Sequence, residues 1–412
     1  MSRIAKVEPT RRGGECQSDG KYQETAVKNG WPAKALGEVC QIKPPKSEAR
    51  NRVSSDALVS FLPMEDMGID EKYVRATQAK PISAVMGSYT YFADGDVLLA
   101  KITPCFENGK LGIAEELVNG IGFGSSEYIV FRPDGILSKE WLYYYLSRES
   151  FRVEGAAQMS GAVGHKRVSK EFIESYPIPL PPLPEQQRIV GILDEAFEGI
   201  ATAKANAEKN LQNARALFES HLQSVFTRRG EGWVEKTVDQ ISTNLDSKRI
   251  PITKSDRKSG EYPYYGASGI VDYVADYIFD GDTLLVSEDG ANLLARSTPI
   301  AFSVSGKYWV NNHAHILKFE NIATQRFVEF YLESIKLDEY ITGAAQPKLN
   351  QKALNSIPIP IPTSVEAQAA IVEGIESLQE ETKRLESIYQ LKLVALEALK
   401  KSLLHQAFTG QL

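Results

Sequence analysis

Gln186-Gln187-Arg188-Ile189-Val190 and Gln368-Ala369-Ala370-Ile371-Val372 begin two stretches of one chain that match at a constant offset of 182 residues. The match continues through Leu217 and Leu399, then Leu222 and Leu404, to Phe226-Thr227 and Phe408-Thr409. Each stretch is entered through spaced prolines, Pro177-Ile178-Pro179 in the first and Pro358-Ile359-Pro360 in the second. A period this long exceeds any solenoid unit and marks a duplicated domain, each copy ending in its own long helix. Internal two-fold symmetry suits a partner that is itself two-fold, and duplex DNA is the commonest such partner.

Both stretches place apolar residues at steps of three and four. The first carries Ile189, Leu193, Ala196, Ile200, Ala207, Leu211, Ala214, Phe218, Leu222 and Val225. The second carries Ile371, Ile375, Leu378, Leu385, Ile388, Ala395, Leu399 and Leu403. A narrow stripe sustained this long reads as a coiled-coil seam, and each helix would span roughly 60 Å. An unpaired stripe of that length would aggregate, so the seams are expected to pair. The second helix must then run back antiparallel. The predicted fold is α+β: two mixed α/β recognition domains separated by a two-stranded antiparallel coiled coil of long helices, a pseudo-two-fold dumbbell. The boundaries read as a flexible tail at 1–30, a first domain at 31–184 and its helix at 185–227. A second domain follows at 228–365, and its helix at 366–412.

Inside the globular segments, Trp31, Lys34, Leu36 and Val39 match Trp233, Lys236, Val238 and Ile241 at an offset of 202. A strand signal follows Asp94-Gly95-Asp96 and again Asp280-Gly281-Asp282, where a turn closed by glycine leads into an apolar run. Short amphipathic helices are expected around Trp141 to Leu146 and Phe327 to Leu332. The framework matches while the loops scarcely align, which is expected where each copy recognises something different.

Composition is ordinarily globular, at 42% hydrophobic and 24% charged, and no apolar run is long enough for a membrane span. Together with the lack of an apolar signal core, this predicts a cytoplasmic protein. Cys16, Cys40 and Cys105 are odd in number and far apart, supporting neither disulfides nor a zinc site. The net charge of -6 counts against indiscriminate nucleic-acid binding, so DNA contact must come from local basic clusters.

The tools of an enzyme are missing from the sequence. There is no phosphate-cradling loop ending in Lys-Ser/Thr, and Gly122-Phe123-Gly124 lacks the third glycine of a dinucleotide site. Neither Pro-Pro pair has the acid and aromatic of an amino-methyltransferase motif. His313-Ala314-His315 looks like a metal pair, but alternate strand residues point to opposite faces. No catalytic or metal residue is assigned, and no cofactor is expected on this chain.

What recurs is a set of polar, partly basic loops. In the first domain Lys101, Thr103, Asn108 and Lys110 follow the Asp-Gly-Asp strand; in the second Ser287, Glu288, Asn292 and Arg296 occupy the corresponding stretch. Arg and Lys suit guanine edges, Asn suits adenine, and acids accept from cytosine. Lys43, Lys46 and Arg50 in one copy, and Lys248 and Arg249 in the other, suit phosphates. Before each proline lead-in lie His165-Lys166-Arg167 and Gln346-Pro347-Lys348.

The run Pro177-Ile178-Pro179-Leu180-Pro181-Pro182-Leu183-Pro184-Glu185-Gln186-Gln187-Arg188-Ile189-Val190 closely resembles the signature of specificity subunits of Type I restriction-modification systems. The ending Leu403-Leu404-His405-Gln406-Ala407-Phe408-Thr409-Gly410-Gln411-Leu412 is similar to the family's usual ending. The stretch Asp94-Gly95-Asp96 with Lys101 to Lys110 resembles one class of its target-recognition domains. The second copy departs at Pro362-Thr363-Ser364-Val365-Glu366-Ala367-Gln368, which lacks the Pro-Pro and Glu-Gln pairs. The resemblance implies a non-catalytic subunit that recognises a bipartite, asymmetric sequence in double-stranded DNA, one half-site per domain, with the helices setting the gap. It also implies two methyltransferase subunits that bind S-adenosylmethionine and methylate adenines, and restriction subunits that use ATP and Mg. A protein-binding scaffold and a stand-alone nuclease or methyltransferase are the rival readings.

Overall fold

A computed structural model describes residues 30–412 except 163, 344 and 345. The tail expected at 1–30, with Cys16, lies outside the described residues but for Gly30. The described residues divide into two compact units, one of residues 30–201 with 396–412 and the other of 202–395. No helix among the described residues is long and apolar enough to cross a membrane.

The first unit begins with a short antiparallel ribbon in which Ala33–Ala35 pairs with the proline lead-in Pro177–Pro179. Two sheets follow. The five-stranded one orders Cys40–Ile42, Tyr128–Pro133, Val97–Ala100, Leu111–Ala114 and Tyr73–Val74 side by side. The four-stranded one orders Gln78–Pro81, Leu58–Leu62, Ile121–Gly124 and Thr90–Ala93. Val97–Ala100 is buried on both faces, which is why it reads as a continuous apolar run rather than an alternating one. The turn feeding it needs Gly95, whose φ of 87° is costly for any residue with a Cβ. Helix Lys139–Leu146 is capped by Ser138 and buries Trp141 against the sheet.

The second unit repeats this plan, with a four-stranded sheet where the first has five strands. Trp233–Thr237 pairs with Pro358–Pro362, and a sheet orders Thr243–Asn244, Ala314–Lys318, Thr283–Ser287 and Ala301–Val304. A second sheet contains the hairpin Ser259–Gly266 and Gly269–Val274. Helix Ile322–Ser334, capped by Asn321, takes the place of Lys139–Leu146.

The long helices run Leu183–Thr227 and Val365–Phe408, 45 and 44 residues. In the first unit the start of one, at Ile189, Val190 and Leu193, packs with the end of the other, at Leu404, Ala407 and Phe408. In the second unit the roles reverse: Leu222 and Phe226 pack with Val372 and Ile375, and Arg215 pairs with Glu386 at 2.6 Å. The helices are therefore antiparallel in each unit.

The repeat holds at the level of single contacts. Gln186 is fully buried, accepting from the Ser138 amide and donating to the Ile136 and Pro181 carbonyls. Gln368, its match, accepts from the Thr324 hydroxyl and donates to the Pro362 carbonyl. A buried amide with every group paired fixes where each helix leaves its domain. Phe408 sits 4.5 Å from the Trp141 ring and 5.0 Å from Tyr145, while Phe226 lies 5.3 Å from both Phe327 and Tyr331.

The predicted seam needs one correction. On the first helix every predicted position is buried or half-buried, with the small Ala207 and Ala214 buried. On the second, Ile388, Ala395 and Leu399 are exposed. The covered positions are instead Thr382, Tyr389, Leu393 and Leu396 between the anchors Ile375 and Ala407. That helix carries two overlapping apolar stripes, and the docking of its two ends selects between them.

Truncating either terminal aromatic removes a buried ring from a domain core. Phe408→Ala is expected to cost about 3–5 kcal/mol. Denaturant unfolding checks this, with Phe226→Ala as the counterpart in the other unit. A loss below about 1 kcal/mol would show that the helix end does not complete the core.

Candidate nucleic-acid interface

In the first domain the site starts at the Asp-Gly-Asp corner. Asp94 accepts from the Leu117 amide at 2.9 Å, and buried Asp96 accepts from the Ala93 amide and from two Arg132 nitrogens, each at 2.7 Å. Burial pushes the Asp96 carboxyl up from its ordinary value, against the opposing pull of Arg132. The corner is thus a framework, and the strand it launches delivers Lys101 to the sheet's end.

There the two predicted loops meet. The Lys101 amide donates to the Glu127 carbonyl, Val168 donates to the Lys101 carbonyl, and Thr103 donates to the Lys166 carbonyl. Arg167 grips Glu127 with two hydrogen bonds, 2.9 and 2.7 Å, which hold that carboxyl below its ordinary value. Burial lowers the Lys101 ammonium; Lys43 and Arg167 add to this while Glu127 opposes it. Lys43, His165 and Lys166 are exposed beside it. Local cations thus outnumber the acid, and their mutual repulsion favours an anion at this face.

The remaining first-domain candidates are divided. Asn108 and Arg50 are exposed. Lys46 donates to the Met86 and Gly87 carbonyls, Lys110 to the Met64 carbonyl, and the Thr103 hydroxyl to Glu107. These three tie loops down.

Strand pairing gives the correspondence between copies. Ala100 faces Tyr128 as Ser287 faces Ala314, Glu288 donates to the His313 carbonyl, and Leu349 donates to the Glu288 carbonyl. Lys101 therefore corresponds to Glu288, Glu127 to His313, and Val168 to Leu349. Counting from the Asp-Gly-Asp corner would have set Lys101 against Ser287, one residue early. The isolated bridges Ile102 to Arg167 and Asp289 to Lys348 likewise equate Arg167 with Lys348. The cross-loop ion pair survives with its charges rearranged: Arg167 with Glu127 in one copy, Lys348 with Glu288 at 3.1 Å in the other.

Second-domain candidates are more deeply engaged. Ser287 is buried with its hydroxyl on the Ala267 carbonyl, which anchors the tip of the hairpin. Asn292 bonds Ser297 and both backbone groups of Thr298. Arg296 donates to the Leu332 and Ile335 carbonyls at the end of helix Ile322–Ser334, a helix-terminal role. These three are removed from the base-reading set because their polar groups are already occupied by the fold. Lys248, Gln346 and Lys348 remain exposed.

Arg249 lies in a buried network that sequence reading did not reveal. It reaches Glu288 at 2.6 Å and Asp246 at 3.6 Å, and donates to the Ala314 carbonyl. His315 Nδ1 meets Asp246 at 2.5 Å and its Nε2 meets the Leu349 carbonyl at 2.7 Å. Burial works to raise both Asp246 and Glu288, but His315 and Arg249 hold both below their ordinary values. Asp246, Glu288 and His315 offer ligand atoms within 4.8 Å of one another. Arg249 and Lys348 already supply the countercharge, so the set is best described as an ion-pair network rather than a metal centre. His313, in the turn before that strand, is half-exposed and pairs with Asp289.

Known proteins agree with this construction. Residues 28–212 and 230–393 match the family described as Type I restriction modification DNA specificity domain. The Type I restriction enzyme EcoAI specificity subunit of Escherichia coli is 39% identical over 218 residues, 52% of this chain and 35% of that one. The EcoEI specificity subunit of the same organism is 36% identical over 192 residues, 46% of this chain and 31% of that one. These matches span about a third of the length of those two relatives. Among solved structures, the HsdS subunit from Thermoanaerobacter tengcongensis superposes with a TM-score of 0.64 at 17% identity, covering 93% of this chain and 98% of that one. A chain from a structure addressing assembly and conformational transition of the type I R-M system gives 0.73 at 17% identity, covering 93% and 99%. With the family model covering both copies, the chain belongs to the Type I restriction-modification DNA specificity domain family.

Proposed function

We propose that this chain is the non-catalytic DNA-recognition subunit of a Type I restriction-modification complex. Each domain reads one half of a bipartite, asymmetric site in duplex DNA. The long helices set the gap between the halves and dock two methyltransferase subunits. Those partners bind S-adenosylmethionine and methylate adenine, and restriction subunits use ATP and Mg to cleave unmodified DNA. One observation carries this reading: the strand leaving each Asp-Gly-Asp corner meets the loop before each proline lead-in, and the two meeting points differ in charge. One scaffold with two differently charged faces suits two different half-sites.

The exposed cations at the first face are assigned to phosphates, which position without specifying. Lys43→Ala and Lys166→Ala are each expected to weaken binding to all duplexes alike and to shallow the salt dependence by about 0.9 for each phosphate no longer neutralised. Titration of labelled duplex over a salt series measures this. A loss confined to one base sequence would reassign the residue to base reading.

The helices supply the second test. Deleting one helical turn within 201–212, with the matching turn of the second helix, is expected to change the gap while both half-sites stay the same. Mapping adenine methylation in the host genome reads the outcome, and an unchanged gap would refute the spacer role. Exchanging residues 31–176 for those of another family member is expected to change one half-site only; methylation mapping showing both altered would end the independent-reader account.

A further inference from the structure

The two copies differ at one buried place where the difference bears on recognition. In the second domain Asn244 pairs with Leu317 and Leu245 donates to the Ile316 carbonyl; in the first, Ile42 pairs with Phe131 and Lys43 donates to the Val130 carbonyl. Asp246 therefore stands where the first domain has Pro44, and His315 where it has Ile129. An apolar pair in one copy is a buried, hydrogen-bonded acid and histidine in the other.

The chemistry of that pair is directional. The Leu349 carbonyl only accepts, so His315 Nε2 carries the hydrogen and donates it. The Asp246 carboxylate likewise only accepts, so Nδ1 also carries a hydrogen and donates it to Asp246, whose second oxygen accepts from the Ile316 amide at 2.9 Å. Asp246 is thereby fixed to the sheet, His315 is fixed to Asp246, and Leu349 is fixed to His315. From the other side the Leu349 amide donates to the Glu288 carbonyl, Lys348 pairs with Glu288, and Gly290 donates to the Pro347 carbonyl. The exposed Gln346 and Lys348 are thus mounted on a segment held from beneath by a buried side-chain relay. Among the described residues the first domain holds its Arg167 by the surface pair with Glu127, by the side chain's own bond to the His165 carbonyl and by backbone bonds.

Base-edge hydrogen bonds need donors and acceptors placed to within about 0.5 Å, whereas phosphate contacts tolerate more. We propose that Asp246 and His315 are positioning residues that set how faithfully the second domain reads its half-site, by fixing the segment that presents Gln346 and Lys348. The proposal rests on the DNA-recognition reading above. Both side chains are buried.

The test uses the full-length gene in its host, with genome-wide adenine methylation as the readout. His315→Ile, which installs the first domain's residue, is expected to raise methylation at sites with one mismatch in the second half-site by about tenfold relative to the correct site. The first half-site and the gap stay strict in the same molecules, which a merely destabilised protein would not show. His315→Gln keeps a donor for the Leu349 carbonyl and is expected to restore most of the fidelity. Asp246→Asn covers the case in which His315→Ile abolishes all methylation; it preserves side-chain size and is expected to relax the same half-site. Unchanged fidelity in Asp246→Asn, or equal relaxation of both half-sites in any variant, would overturn the proposal. If the unaltered gene produces no bipartite methylation motif, the recognition reading itself fails; if the motif is present and the variants leave it intact, only the positioning role fails.

Discussion

Each globular core is closed by the end of a long helix, and in the first domain that end comes from outside its own contiguous stretch of chain. The first domain's core takes in Leu404, Ala407 and Phe408 from the last turns of the chain, and the second's takes in Leu222 and Phe226. Hydrophobic burial is the dominant favourable term in folding, so neither domain is complete without that aromatic seat. The same constraint dictates the direction of the helices. A helix that starts fixed by a buried glutamine in one unit and finishes with a buried phenylalanine in the other has its register set at both ends.

That mounting frees the sheet ends to vary. The framework contacts repeat in kind, from the buried glutamines to the T-shaped phenylalanine contacts, while the loop residues above them exchange charge. Lys101 gives way to Glu288 and Glu127 to His313, yet a cation from the proline-side loop still clamps an acid in both copies. A constant clamp with altered polarity is a physical way to keep a loop's position while changing what it presents.

Much of the apparent basic surface belongs to the fold. Lys46, Lys110 and Arg296 all donate to backbone carbonyls, and Arg249 is consumed by two buried acids. The acidic balance of the chain is therefore compatible with a local cationic face, because the exposed Lys43 and Lys166 are among the charges left over after such ties are made. Formal charge counts cannot separate a cation serving a carbonyl from one facing solvent, and this is why candidates drawn from composition are too generous.

The sequence by itself determined the duplication, both long helices, the proline lead-ins and the Asp-Gly-Asp corners. Each of these is encoded locally, by a 3.6-residue period, a fixed ring angle or a glycine in a left-handed turn. It also pointed to the loops that meet, since they recur beside those landmarks. Only the tertiary structure decided which apolar stripe of the second helix is covered, because Ile388 and Leu393 are equally apolar and the docking of distant ends chooses between them. The same holds for the register that sets Lys101 against Glu288, and for the joining of Asp246 to His315 across 69 residues. Those outcomes depend on strand pairing and burial between segments far apart in the chain, for which no local pattern exists to be read.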